Sequence, residues 1–124
     1  DRLSKLPGIK MVGAPPNTQN NNQYIVLEVA EDEFGLSRDE LSRVLREENV
    51  YSRRYFRPGI HRTNYYAKLK PQYVKTLPVT DHLSNSVLQL PSGQEMDPSK
   101  IGKICDIIGI VYAHSSQLKE KLGS

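Results

Sequence analysis

"GLSRDELSRVLREENV", residues 35–50, carries the start, the buried face and the stop of a helix in sixteen consecutive positions. Ser37 stands three residues before Glu40, the S-x-x-E capping box in which each side chain bonds the other residue's backbone N–H. Leu36 and Leu41 are spaced as a hydrophobic staple around that cap. Leu41, Val44 and Leu45 recur at 3,4 spacing, which gives one buried stripe. Asn49 suits a left-handed stop.

Outward from this helix the chain reads as follows. Upstream, "QYIVLEVA" is short, apolar and β-branched and predicts a strand over about 24–29. Before it, "MVGAPPNTQNNN" (11–22) combines two prolines with a run of Asn and predicts a solvated loop with no share in the core. Downstream, "VYSRRYF" alternates in part and predicts a second strand over about 50–56, ended by Pro58-Gly59. Residues 57–79 carry turn signals and Tyr65, Tyr66 and Tyr73, and predict loop with one helical turn. "PVTDHLSNS" predicts a short helix capped by Thr80, and "VLQLP" a third strand closed by Pro91. Asp97-Pro98 is an N-cap followed by proline at the first helical position. The last helix carries Ile101, Ile104, Cys105, Ile108, Val111 and Tyr112 on one face, and its polar end, Ser115 to Ser124, is expected to fray.

Two amphipathic helices can cover one face of a small, mainly antiparallel sheet, which makes the predicted fold an α+β two-layer sandwich. The other face of the sheet needs a cover, and a domain outside the chain could supply it. The predicted organisation is a linker and loop segment over 1–23, one domain over 24–112 and a polar C-terminal tail over 113–124.

The 124 residues make one domain's worth of chain with 37% hydrophobic content, enough for a single core. The longest apolar runs, "YIVL" and "IIGIVYA", fall far below the ~20 residues of a membrane span. The first residues do not read as a signal peptide, and a chain that begins Asp-Arg without Met and ends Gly-Ser reads as an excised piece. The single cysteine, Cys105, excludes an internal disulfide and fits a reducing cytoplasm; its place in an apolar stripe predicts core packing. The net charge of +3, from 17 basic and 14 acidic residues, favours anionic partners without the concentrated stripe of a nucleic-acid binder. The densest basic cluster is Arg53, Arg54, Arg57 and Arg62.

Metal-ligand spacing is absent, because His61, His82 and His114 stand far apart and no acidic or thiol partner stands at metal-site spacing. The glycines are scattered and make no phosphate loop. His82, next to Asp81 at a helix start, predicts an exposed residue, and His114 is given no role. His61 differs. It follows a strand end and the Pro-Gly turn in "YFRPGIHR" (55–62), and binding residues gather on loops held by a scaffold. From chemistry alone this stretch is either a site or a surface turn.

"RRYFRPGIHRTNYY", then "LPVTDHLSNSVLQLPSG", then "MDPSKIGKICDII" resembles the carboxy-terminal, small domain of the DegT/DnrJ/EryC1/StrS aminotransferases, over about Tyr24 to Ile110. These are pyridoxal-phosphate enzymes that aminate nucleotide-linked keto-sugars. "RRYF-x-PGIH" looks most like the branch acting on dTDP-linked 3-keto-6-deoxyhexoses, with a differently linked or 4-keto sugar as the alternative; Arg57 stands where relatives often carry an aromatic. The resemblance implies that Tyr55, Phe56 and His61 shape the sugar pocket, with His61 bonding a hydroxyl or keto oxygen. It implies that Arg53 or Arg54 meets the nucleotide's phosphates, since guanidinium matches phosphate oxygens bidentately.

The same resemblance implies that catalytic and cofactor-binding residues lie elsewhere. Such an enzyme needs a lysine for pyridoxal 5′-phosphate, an acid for its pyridinium nitrogen and a phosphate cradle. The family keeps these in its large domain, and none of the nine lysines here matches the family's site. The chain alone is therefore expected to be inactive, as part of a homodimeric enzyme that takes its amino group from glutamate. A rival reading is a free-standing α+β module binding RNA or another polyanion, on the strength of the arginine-tyrosine run over 51–66.

Overall fold

The computed structural model describes residues 2–21 and 23–123. It is an α+β fold with a three-stranded antiparallel sheet in the order β1 (Ile9–Val12), β2 (Ile25–Val29) and β3 (Val87–Leu90). Register places Leu27 opposite both Met11 and Leu88, and Ile25 opposite Leu90. Alternation along the strands therefore puts Ile9, Leu27, Val29, Leu88 and Leu90 on one face, and all five are buried.

Two helices close that face: α2, Arg38–Glu47, and α6, Pro98–Ala113; α1, just before α2, is the single turn Glu31–Phe34. α2 begins as predicted. Ser37 Oγ accepts from the Glu40 N–H, and Glu40 Oε2 accepts from the Ser37 N–H at 2.7 Å. Leu36, Leu41 and Leu45 are fully buried, and Asn49 takes the expected left-handed conformation at φ 58°. α6 is capped by Asp97, whose carboxylate accepts from the Lys100 N–H at 2.8 Å. Its buried face centres on Ile108 and Val111, with Ile104, Cys105 and Tyr112 partly buried against the core, while Ile101 is exposed.

Three expectations are corrected. The 1–23 segment, read as linker and loop, supplies β1 and the buried Leu3 and Ile9; only 13–21 of its described part runs as exposed connection. The second strand over 50–56 does not form. Arg53 makes one antiparallel bridge to Gln89, with N···O distances of 2.9 and 2.8 Å, and the chain then turns as the Arg57 N–H bonds the Arg54 carbonyl. The polar end does not fray: α7, Ser115–Leu122, turns Leu118 and Leu122 onto the core, and Lys119 pairs with Glu31 at 2.6 Å. Gly35 makes this docking possible. It is left-handed (φ 87°), and a β-carbon there would lie 2.5 Å from Ser115 Oγ.

The chain between Gly59 and Ser86 is more helical than the predicted loop. A 3-10 turn, Ile60–Arg62, leads into α3 (Asn64–Leu69), α4 (Tyr73–Thr76) and α5 (Pro78–Ser86). α5 starts at Pro78 with Leu77 at its N-cap, so Thr80 lies inside the first turn instead of capping it. Proline's fixed φ already suits the first helical position and moves the start upstream. α5 packs against β2 from the side opposite α2 and α6 and gives the second face of the sheet a partial cover. Among the described residues no helix is long and apolar enough to cross a membrane.

Candidate functional site

On that second face lies a cavity of about 730 Å³. Val12, Val26 and Val87, one from each strand, face it from the sheet, because they alternate with the core residues. Leu77 and Leu83 of α4–α5 add to an apolar lining. Its polar groups are few: Tyr55, His61, Tyr66, Lys70, Tyr73, Thr80 and Ser84.

Of the residues expected at a site, Tyr55, Phe56 and His61 line this cavity. Tyr55 and Phe56 stack with ring centroids 5.0 Å apart, and Tyr24 meets Tyr55 edge-on at 6.3 Å. Phe56 is 75% exposed, so a large apolar ring stands in water at the site. Arg53 and Arg54 do not line the cavity. Arg53 donates to the Tyr55 hydroxyl at 3.1 Å, with Cζ 5.9 Å from that ring's centroid. Arg54 turns away to Asp39 on α2, at 3.1 Å.

Asp39 gathers three guanidiniums. Arg57 pairs with it, and the fully buried Arg38 donates to it through Nε at 2.9 Å. Arg38 also donates to the carbonyls of Val87, at 2.5 Å, and Ser84, at 2.8 Å, tying α2 to the α5–β3 junction. Burial, then the charges of Arg57 and Arg54, lower Arg38 to about 10, which leaves it charged at neutral pH. Arg57 is thus held by Asp39 and is not among the residues that line the cavity.

His61 is not the exposed turn residue that its Pro-Gly context suggests. It is 7% exposed, in the 3-10 turn, with Gly59 against its ring. A β-carbon on Gly59 would come within 2.7 Å of His61 Cε1 and 3.0 Å of Nδ1, so only glycine lets the imidazole lie there. His61 Nε2 is 2.9 Å from Asp81 Oδ1 on α5. Arg62 grips the same carboxylate through Nε and through Nη2, the latter at 2.6 Å. The bonds from Arg62 first, and then His61, hold the Asp81 carboxyl down from 3.8 to about 2. Asp81 and Arg62 were not singled out from the sequence as parts of a site. The signal available was Arg62 beside His61 and a carboxylate in a helix's first turn, at twenty residues' separation that no spacing rule reads.

His82 matches its reading as an exposed helical residue, and its Nε2 meets Glu28 Oε1 at 2.7 Å across to β2. That bond, with help from Lys10, keeps Glu28 below the usual carboxylate range. The Lys70 ammonium makes no hydrogen bond or ion pair among the described residues, while its backbone N–H donates to the Tyr66 carbonyl at 2.8 Å. Gln89 Oε1 is the one buried side-chain polar atom without a partner among them.

The residues present do not fit a pyridoxal phosphate site. The cavity lining holds one lysine, Lys70, and no carboxylate to meet a pyridinium nitrogen. The N-termini of α2 and α6, where a phosphate could sit, are closed by their own caps. Among the described residues no cluster of His, Cys, Asp or Glu could hold a metal ion.

The model of the DegT/DnrJ/EryC1/StrS aminotransferase family matches residues 1–109. The chain is 30% identical over 106 residues to a dTDP-4-amino-4,6-dideoxy-D-glucose transaminase of Escherichia coli, covering 86% of this chain and 28% of that protein. It is 33% identical over 95 residues to the Shigella dysenteriae protein of the same description, covering 77% of this chain and 25% of that one. A crystal structure of DesI in the presence of its TDP-sugar product superimposes with a TM-score of 0.88 at 30% identity, over 99% of this chain and 31% of that one. The chain thus spans between a quarter and a third of the length of these relatives.

Proposed function

The chain belongs to the DegT/DnrJ/EryC1/StrS aminotransferase family, and on that premise we propose that it is the small domain of an enzyme that aminates a nucleotide-linked keto-deoxysugar, with the sugar received in the cavity beside His61. The observation that carries this is the convergence of "YFRPGIH" on the cavity: Tyr55, Phe56, Gly59, Ile60 and His61 all line it. Its volume lies within the ~300–1,000 Å³ of ordinary ligand sites. Valines and aromatic rings suit the C–H face and methyl group of a deoxysugar, and His61 supplies a polar group to one side. Lys70, whose ammonium has no partner among the described residues, suits a phosphate as a point charge, and Arg53 remains the arginine candidate because Arg54 is held by Asp39.

In the complete enzyme pyridoxal 5′-phosphate would carry the amino group from an amino acid, glutamate in our reading, to the sugar. It would be held by the large domain, in a cytoplasmic homodimer. This chain's own residues bind the sugar, orient it and exclude water around it. The aminated carbon is better assigned to C4 than to the C3 suggested by the "RRYF-x-PGIH" pattern, because both curated relatives are named for a 4-amino sugar. The RNA-binding reading finds no aromatic on the strands, whose second face presents Lys10, Val12, Val26, Glu28, Val87 and Gln89, so it rests on the exposed rings of Tyr55, Phe56, Tyr65 and Tyr66 beside the sheet.

The test is amination by the complete protein with glutamate and either the 3-keto or the 4-keto dTDP-6-deoxyhexose, with the product's nitrogen located by NMR. Amine at C4 is expected. Amine at C3 would restore the motif-based reading. No amination of either sugar, together with submicromolar binding of single-stranded RNA, would overturn the proposal.

A further inference from the structure

A histidine can meet a ligand as a donor or as an acceptor, and its second nitrogen decides which. At His61 one nitrogen is committed. Nε2 lies 2.9 Å from Asp81 Oδ1, and Arg62 clamps that carboxylate through two guanidinium nitrogens. An ionised carboxylate only accepts, so Nε2 must carry the proton. Asp81 is ionised at any pH near neutrality, since Arg62 and His61 hold it at about 2. Nδ1 has no partner among the described residues, and the ring lines the cavity. Gly59, pressed against Cε1 and Nδ1, fixes the ring plane from the other side.

We propose that Asp81, braced by Arg62, is a positioning residue that holds His61 as its Nε2–H tautomer, so that Nδ1 accepts a hydrogen bond from a sugar hydroxyl and does not donate to the keto oxygen. This rests on the sugar-site reading of the cavity and narrows it. The keto oxygen has no proton to offer, so neutral His61 cannot hold it. A hydroxyl on a neighbouring ring carbon has one. The chain would then select sugars by a hydroxyl next to the reacting carbon, and a substrate lacking it would leave Nδ1 unpaired. Arg62 is a bracing residue in the same scheme: it keeps Asp81 charged and stops the carboxylate from rotating away from the imidazole.

The charged and titratable groups that face His61 are Asp81 and Arg62, with Lys70, Tyr55, Tyr66 and Tyr73 in the same cavity. The tautomer is therefore read at an alkaline pH where the ¹⁵N shifts themselves show a neutral ring. The first arm is long-range ¹H–¹⁵N NMR of the wild-type 124-residue chain labelled at histidine, with His61 assigned through His61→Gln. A protonated Nε2 and a bare Nδ1 are expected. The reverse tautomer, or an even mixture, overturns the proposal whatever any variant does.

The second arm is a double-mutant cycle in the complete protein, using single-turnover kinetics of the sugar half-reaction with the dTDP-linked 4-keto-6-deoxyhexose and of the amino-acid half-reaction with glutamate. His61→Ala and Asp81→Asn should each lower the sugar half-reaction about 10-fold or more and leave the amino-acid half-reaction unaltered. The double variant should be no slower than His61→Ala, because Asp81 acts only through the imidazole. If Asp81→Asn adds a loss of its own on top of His61→Ala, the positioning claim fails. If His61→Ala leaves the sugar half-reaction intact, the sugar-site reading fails, and the tautomer measured in the first arm stands apart from it.

Discussion

The two faces of the sheet are built on opposite plans. One is sealed by α2 and α6, with Leu27, Leu88, Leu41, Leu45 and Ile108 at zero exposure. The other is lined by Val12, Val26 and Val87, is only partly covered by α5, and leaves Phe56 and Ile60 largely in water. The sealed face is held by packing that any period-matched apolar residue helps to supply. The open face is held by few and specific contacts: Asp81 with His61 and Arg62, His82 with Glu28, and Arg38 with the carbonyls of Ser84 and Val87. Packing is concentrated on the first, and the second is where the proposed function puts the sugar.

That contrast breaks most visibly under truncation. Leu27→Ala should cost ~2–5 kcal/mol, since the side chain is fully buried and its cavity can collapse only in part. Tyr66→Ala, exposed beside the open cavity, should stay within about ±0.5 kcal/mol. Urea denaturation of both variants makes the comparison. Similar losses for the two would mean that the open face carries as much of the fold as the core. His61 sits between the extremes: because it is buried against Gly59 and bonded to Asp81, its truncation cannot have the near-zero stability cost of an exposed turn residue.

A smaller effect separates the faces by pH. Asp81 and Glu28 on the open side, and Glu40 and Asp97 at the helix caps, all have carboxyls held below their ordinary values by hydrogen bonds. A depressed carboxyl stabilises the fold above its unfolded pKa, and that stability is lost as pH falls through the folded one. For Asp81 the window runs from roughly pH 4 down to its folded value of about 2. Urea midpoints measured from pH 6 down to pH 2.5 should fall for the wild type, and less steeply below about pH 4 for Asp81→Asn. Superimposable profiles would show that the Arg62–Asp81–His61 contacts contribute nothing to folding.

The same division governs what could be read from the sequence. The sealed face follows apolar period and capping chemistry, so α2 with its Ser37–Glu40 box, α6 with Asp97, and the strands at 25–29 and 87–90 were all legible. β1 was missed although Ile9, Lys10 and Met11 alternate, because four residues before a proline- and asparagine-rich loop give a weak period. The reverse error arose at 50–56, where partial alternation predicts a strand and only Arg53 finds a partner in the sheet. The polarity of α7 predicts a fraying tail and hides Leu118 and Leu122, which pack on the core where the left-handed Gly35 leaves room for Ser115. At the candidate site, Tyr55, Phe56 and His61, which share one local motif, all line the cavity. Asp81, which arrives from another helix, and the diversion of Arg54 to Asp39 depend on tertiary contacts that no local pattern encodes.

The central claim, that the open face receives the sugar, is tested most directly by a crystal structure of the complete protein with its dTDP-linked amino-sugar product bound. The account predicts a sugar hydroxyl within roughly 2.6–3.2 Å of His61 Nδ1, against Val26 and Val87, with His61 Nε2 still on Asp81. A sugar bound elsewhere, with the cavity filled by other parts of the protein, would contradict it.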